Sequence, residues 1–118
     1  ERWRAALTDD DRSARLEALR RITWTMDADF DDPLIERTLG RPSAVRARRG
    51  DNGRAGQERY YPIADLSGAT LVLRTEAGRF FSIHFRVEAD GMTRLFSLDD
   101  FWRRVDRDER IRDAANED

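Results

Sequence analysis

The sequence predicts an α+β domain built from two layers, because helical periodicity at both ends of the chain flanks a region of strict alternation. Apolar residues recur at helical spacing over residues 16–26 and again over 98–105. Between these segments the period changes to two, and apolar residues alternate with polar ones: Phe81, Ile83, Phe85 and Val87 against Ser82, His84 and Arg86. We expect an N-terminal helical hairpin, a three- to four-stranded antiparallel meander and a C-terminal helix, with the helices covering the Phe81/Ile83/Phe85/Val87 face.

The length of 118 residues suits a single domain, in which the composition changes twice. Residues 1–40 contain ten acidic and seven basic side chains and form the helical part. Residues 41–59 contain two acidic and six basic side chains. Residues 60–118, with twelve and nine, form the antiparallel sheet and the C-terminal helix.

Capping signals set the expected helices. Thr8, followed by three aspartates, predicts the start of the first helix. Its apolar stripe is Leu16, Leu19, Ile22, Thr23 and Met26. Asp32 as cap, Pro33 as first residue and Gly40 as stop predict a second, shorter helix. Ser97 or Asp99 caps the C-terminal helix, whose narrow stripe is Leu98, Phe101, Trp102 and Val105.

Turn signals delimit the strands. Residues 69–75 form a strand that ends at the turn of Glu76, Ala77 and Gly78, and Asp90-Gly91 marks a hairpin into the strand over residues 92–97. Residues 59–63 add a possible fourth strand. Because Pro62 has no N–H to donate, we expect that strand at an edge of the sheet.

The 41–59 segment is the strongest functional signal. It combines glycines and little apolar character with six arginines, and we interpret it as a long irregular loop. Guanidinium groups bind carboxylates and phosphates bidentately, so this loop predicts an anionic partner, unless the arginines only pair with the acidic flanks. The arginines are Arg41, Arg46, Arg48, Arg49, Arg54 and Arg59.

Aromatic residues near the loop extend the candidate site. Tyr60 and Tyr61 follow it directly, and Trp24 falls outside the apolar stripe of its helix. Aromatic and arginine side chains together are typical of protein interaction hot spots and of single-stranded nucleic-acid platforms. Core packing is the alternative for each of these three residues.

Missing residue types exclude several chemistries. Every basic residue is arginine, so lysine Schiff bases and P-loops are excluded, and the absence of cysteine excludes thiol nucleophiles, disulfides and thiolate metal sites. His84 is the only histidine. Ser82, two residues along the same strand, lies roughly 6 to 7 Å from it, too far for a direct nucleophile–base hydrogen bond.

Three alternating aspartates, Asp27, Asp29 and Asp31, are weak metal candidates because they match the start of an EF-hand loop. The rest of that pattern fails, since Asp32 stands where glycine is needed and Thr38 where a bidentate glutamate is needed. Helix ends and a turn account for these aspartates without a metal, and we expect neither a metal nor another cofactor.

These observations favour a non-enzymatic protein-interaction or inhibitor-type domain that engages an acidic partner through the arginine loop and nearby aromatics. Nucleic-acid binding by the same arginines within a larger assembly is the alternative, although the net charge of -2 disfavours it. A carboxylate- or metal-based enzyme comes third. We expect a cytoplasmic protein without a membrane contact, while the partner's identity and the oligomeric state stay open.

Overall fold

The computed structural model describes residues 7, 10–50 and 53–116, the last five by their backbone alone. Within these ranges the chain forms three helices and five strands, and the α+β prediction is confirmed. The five strands make one antiparallel sheet in chain order, one strand more than the upper expectation. The elements are α1 (Arg12–Thr25), α2 (Asp32–Leu39), β1 (Ala44–Arg49), β2 (Ala55–Pro62), β3 (Ala69–Glu76), β4 (Arg79–Ala89), β5 (Met92–Phe96) and α3 (Leu98–Asn116).

Aspartate and serine side chains cap the helices. Asp11 caps α1 by accepting a hydrogen bond from the backbone N–H of Ser13 at 2.9 Å, so α1 begins at Arg12. The cap predicted at Thr8 lies outside the described residues. Asp31, and not Asp32, caps α2 by accepting from the N–H of Leu34 at 3.0 Å. Ser97 caps α3 as expected, since its hydroxyl accepts from the N–H of Asp100.

The core lies between the helices and one face of the sheet. Apolar side chains of α1, α2 and α3 meet the odd-numbered side chains of β3 and β4, and the most buried large ones are Ile22, Ile35, Leu71, Leu73, Phe85, Phe101 and Trp102. Phe85 and Phe101 stack with centroids 3.8 Å apart. The indole N–H of Trp102 donates to Thr23 Oγ1 at 3.1 Å, so both of these buried polar groups have a partner.

Phe81 is the exception to the predicted buried face. A β-bulge between β3 and β4 pairs Arg74 with Ser82 but Thr75 with Phe80, so Phe81 is the extra residue. Phe80 therefore takes the core-facing position, and 58% of Phe81 is exposed. The prediction was wrong here because strict alternation cannot reveal an inserted residue.

The segment 41–59 is not an irregular loop. β1 and β2 form a hairpin across it, with residues 50–54 as the connection, of which Asp51 and Asn52 lie outside the described residues. The pattern concealed β1 because all six of its residues are exposed and no apolar alternation is needed. β2 is consequently an inner strand. Pro62 is tolerated because β1 begins opposite Tyr60, so no strand lies beside Pro62 on the side where its N–H would donate.

Candidate partner-binding surface

All three helices pack on one face of the sheet, and no described residue covers the other face. Directly paired residues of antiparallel strands share a face, so the register identifies the uncovered side chains as the even-numbered ones of β1, β2 and β3 and, from Ser82 onward, of β4. We call this side the open face. Its central residues are Arg46, Arg48, Glu58, Tyr60, Val72, Arg74, Ser82, His84 and Arg86.

A buried carboxylate holds two arginines in place on the open face. Glu58 Oε2 accepts from Arg74 Nε at 3.0 Å and from Arg48 Nη1 at 3.3 Å, and Tyr60 donates its hydroxyl to Glu58 Oε1 at 3.0 Å. Burial raises the pKa of the Glu58 carboxyl, but the hydrogen bonds from Arg74 and Tyr60 and the arginine charges outweigh it, so the pKa lies below its ordinary value. Glu58 is therefore ionised at neutral pH and orients both guanidinium groups.

A row of one valine between two ring side chains crosses the centre of the open face. Tyr60, Val72 and His84 are direct neighbours on β2, β3 and β4, and Val72 is fully covered by the side chains around it. The guanidinium carbon of Arg86 lies 5.5 Å from the centroid of the Tyr60 ring. Burial lowers the pKa of His84, and the charges of Arg74, Arg48 and Arg86 lower it further against the opposing charge of Glu58. The imidazole is thus neutral at pH 7.

A shallow cavity of about 190 Å³ lies beside the bulge. Exposed Phe81 lines it together with Arg48 and Arg74, and its floor includes Gly56. A Cβ at Gly56 would lie 2.4 Å from the carbonyl oxygen of Thr75, so a side chain there cannot be accommodated without moving the sheet. The cavity thus places an apolar ring next to two cations.

β1 supplies the positive excess of the surface. The open face also carries Glu76 and Glu88 near strand ends, whereas β1 has three arginines, no acidic residue and complete exposure. Arg46 and Arg49 form no ion pair with any described residue. Arg46 lies on the open face and Arg49 on the opposite side, so β1 is cationic on both sides.

The structure brings only part of the predicted site together. Arg46, Arg48 and Tyr60 lie on the open face, while Arg59 and Tyr61 point to the helix side. Arg59 is 8% exposed and bonded to Asp32 at 3.3 Å, and the Tyr61 hydroxyl donates to the Gly40 carbonyl at 3.2 Å. These two residues thus serve the fold. That the remaining residues bind a partner is still a prediction.

The other predicted residues lie outside this cluster. Arg41 follows α2 and faces Glu36 at 3.9 Å, and Arg54 is exposed in the hairpin connection. Trp24 is 53% exposed on α1, as its place outside the apolar stripe indicated. The candidate site is therefore a sheet surface and not a continuous loop, and Arg41, Arg54 and Trp24 lie outside it.

Two members of the surface, Arg74 and Phe81, escaped the sequence reasoning. For His84 and Arg86 a signal was available, since the alternation of β4 places both on one face. Arg74 and Phe81 gave none, because the first depends on the pairing of β2 with β3 and the second on the bulge.

The candidate metal ligands are engaged at helix ends. Asp27 Oδ1 accepts from the N–H of Asp29 at 2.9 Å, and Asp31 caps α2. In the part of the chain that the structure describes, no group of three or more His, Cys, Asp or Glu side chains is placed to hold a metal ion. These contacts place Asp27 in a turn and Asp31 at the helix cap for which the sequence predicted Asp32.

Comparison of the chain with protein-family models, with curated proteins and with solved structures finds no match. None of the helices that the structure describes combines the length and apolar character needed to cross a membrane. The fold defines an α+β two-layer domain whose sheet has one face that no described residue covers, and this face is the candidate functional surface.

Proposed function

We propose that this chain is a non-enzymatic binding domain that engages an acidic surface of a partner protein through β1 and the open face. The observation that carries the proposal is the charge of β1: three arginines without an acidic residue on a fully exposed strand, two of them without an ion-pair partner among the described residues. Unpaired guanidinium groups bind carboxylates in bidentate geometry, so acidic side chains of a partner would form ion pairs with them.

Exposed apolar side chains next to the arginines support a protein partner. Phe81 borders the cavity beside Arg48 and Arg74, and exposed Leu95 lies opposite Arg86 on β5. Protein interfaces combine an apolar centre with arginine and aromatic residues. The arginines provide steering and orientation, while Phe81 and Leu95 provide area that is desolvated on binding.

The arrangement around His84 supports a binding role over catalysis. Ser82 shares its face but is separated from it along the strand by roughly 6 to 7 Å. Glu58, the carboxylate whose charge acts on the imidazole, is hydrogen-bonded to Arg48 and Arg74. A neutral imidazole among three arginines lacks the oriented nucleophile that a hydrolytic dyad requires.

Nucleic-acid binding by the same arginines is the second candidate. The observation in its favour is the Tyr60 ring with Arg86 above it on an uncovered sheet, since aromatic rings beside cations stack on bases. Glu76 and Glu88 at the margins and the net charge of -2 weigh against it, because phosphates would be repelled there.

Fluorescence anisotropy separates the two candidates. The probes are a labelled oligoglutamate peptide and labelled single- and double-stranded oligonucleotides at about 150 mM salt. The test variant is Arg46→Glu with Arg49→Glu, which disrupts no described ion pair. Its matched control is Arg103→Glu with Arg107→Glu on α3, which changes the net charge equally and disrupts only exposed pairs.

We expect the peptide to bind the wild type and the α3 control but not the β1 variant. Oligonucleotide binding that falls by a log–log slope of about 0.7 to 0.9 per phosphate with salt, and that the β1 variant loses, would replace the protein partner by nucleic acid. Absence of binding to every probe, or equal loss in both variants, would overturn the proposal.

A further inference from the structure

β1 is an edge strand whose outer side has no neighbour among the described residues. It stands first in the sheet order, and its only paired strand is β2. Every second residue of an antiparallel edge strand directs its N–H and C=O away from the sheet. Which residues do so can be read from the hydrogen bonds on either side of β2.

The register assigns the outward groups to the odd-numbered residues of β1. The N–H of Ala77 donates to the carbonyl of Ala55 at 3.2 Å, so the odd residues of β2 bond towards β3 and its even residues bond towards β1. The N–H of Gly50 donates to the carbonyl of Arg54 at 2.9 Å, which continues this even-numbered ladder. The backbone groups of Val45, Ala47 and Arg49 therefore point outward.

The edge has few of the features that prevent strand pairing. Residues 44–49 contain no proline, no bulge interrupts their pairing with β2, and all of them are exposed. Within β1 the arginines are the only feature that opposes pairing, and they select the added strand by its charge. They repel a cationic strand and attract an anionic one.

We propose that an extended acidic segment of the partner protein adds to β1 as a sixth, antiparallel strand. This rests on the proposed function and names the form of the partner. Acidic side chains at alternate positions would lie opposite Arg46 and Arg48 on the open face. The intervening side chains of the added strand would lie opposite Val45, which is 51% exposed, and opposite Ala47, so small apolar residues fit at these positions. The ligand is thus a segment that alternates acidic and apolar residues.

A second copy of the chain does not fit this edge. Two β1 strands related by a two-fold axis overlap over residues 45–49 when Ala47 pairs with Ala47, and this register places Arg46 directly opposite Arg48 in both halves. Like charges in that position destabilise the pair. A row of phosphates does not satisfy the edge either, because phosphates accept hydrogen bonds from the outward N–H groups but cannot donate to the outward carbonyls.

Labelled peptides test the strand directly. The probe is an eight-residue peptide alternating glutamate and valine, and the comparison peptide has the same composition with four glutamates followed by four valines. In the proposed antiparallel register the valine N–H groups face β1 and the glutamate N–H groups face away. N-methylation of the valines should therefore weaken binding by about tenfold or more, while N-methylation of the glutamates should leave it nearly unchanged.

A matched pair of protein variants tests whether an outward N–H of β1 is needed for binding. Ala47→Pro removes an outward N–H and leaves the β1–β2 ladder intact, whereas Ala47→Val keeps that N–H. We expect the proline variant to lose binding by about tenfold and the valine variant to retain it. If Ala47→Pro unfolds the hairpin, as a melting curve will show, the methylated peptides still decide the question.

Amide hydrogen exchange on the peptide-bound protein gives the residue-level result. The amides of Val45, Ala47 and Arg49 should gain protection, while those of Arg46 and Arg48 are protected before the peptide is added. If both peptides bind equally, neither methylation matters and the odd amides stay unprotected, strand addition is wrong while the proposed function stands. If neither peptide binds, both are wrong.

Discussion

Replacing Glu58 by glutamine should lower the stability of the fold and raise its affinity for an acidic ligand at the same time. The substitution keeps the size of the side chain and an oxygen acceptor but removes the charge that Arg48 and Arg74 share. The two guanidinium groups then repel each other and become available to an external carboxylate.

The expected loss of stability in Glu58→Gln follows from the exposure of the Glu58, Arg48 and Arg74 side chains. Loss of one member of a fully buried pair costs about 3 to 5 kcal/mol, and surface pairs contribute about 0 to 1 kcal/mol. The Glu58 side chain is 11% exposed, but those of Arg48 and Arg74 are 43% and 31% exposed, so water compensates much of the loss. We therefore expect a loss of about 2 kcal/mol, equivalent to a melting temperature about 6–10 °C lower for a chain of this size.

Thermal melts and the peptide titration measure both effects, with Glu88→Gln as control. Glu88 faces Arg86 at 3.6 Å with 61% exposure, so the same change of charge there should alter stability by less than about 1 kcal/mol. The effect should also depend on pH. The folded pKa of Glu58 is depressed, so its stabilisation is present above the unfolded value of 4.5 and is lost as the pH falls through the folded value.

Two results would refute this reasoning. A stability difference between wild type and Glu58→Gln that stays constant from neutral to strongly acidic pH would show that the charge of Glu58 is not its origin. An affinity for the acidic peptide that falls with the substitution would show that the orientation of the two arginines by Glu58 favours ligand binding more than the competition of Glu58 for them opposes it.

Three further predictions concern pH, a turn and metal. The folded pKa of His84 is depressed below 6.5, so the free energy of unfolding should fall as the pH drops below 6.5 and through the folded value. His84→Gln should remove that part of the pH dependence, and identical pH profiles of the two proteins would contradict the prediction. Ala77 has a φ of 51° in the β3–β4 turn, so Ala77→Asn should stabilise the fold by about 0.5–1 kcal/mol in denaturant titrations. Gly78 has a φ of 77°, so Gly78→Ala should destabilise the fold. A stabilising effect of Gly78→Ala would be inconsistent with a strained turn. Calcium or magnesium at millimolar concentration should leave the melting temperature unchanged, and a rise that disappears in Asp29→Ala would restore the metal interpretation.

Local patterns were sufficient for the elements that bury an apolar stripe. The spacing of Leu98, Phe101 and Trp102 predicted α3, and the alternation around Phe85 predicted β4, because burial of one side of a helix or strand imposes a period on the sequence. The Asp90-Gly91 turn fixed the β4–β5 hairpin for a similar local reason, since Asp90 and Gly91 both adopt positive φ there.

Long-range pairing decided what those patterns could not show. β1 buries nothing, so its sequence carries no period, and only its register with β2 makes it a strand. The bulge that exposes Phe81 depends on how β4 aligns with β3 after their turn. Neither feature has a signature within a short window of residues.

The arginines show the same division between sequence and tertiary structure. Composition alone identified a cationic segment and excluded lysine, thiol and multi-histidine chemistry. The sheet then separated its members: Arg59 turned to the helix side to bind Asp32, Arg48 joined Arg74 on Glu58, and Arg46 was left without an ion-pair partner among the described residues. A one-residue change of register exchanges the faces of a strand, so which guanidinium groups are available to a partner is a property of the pairing and not of the segment.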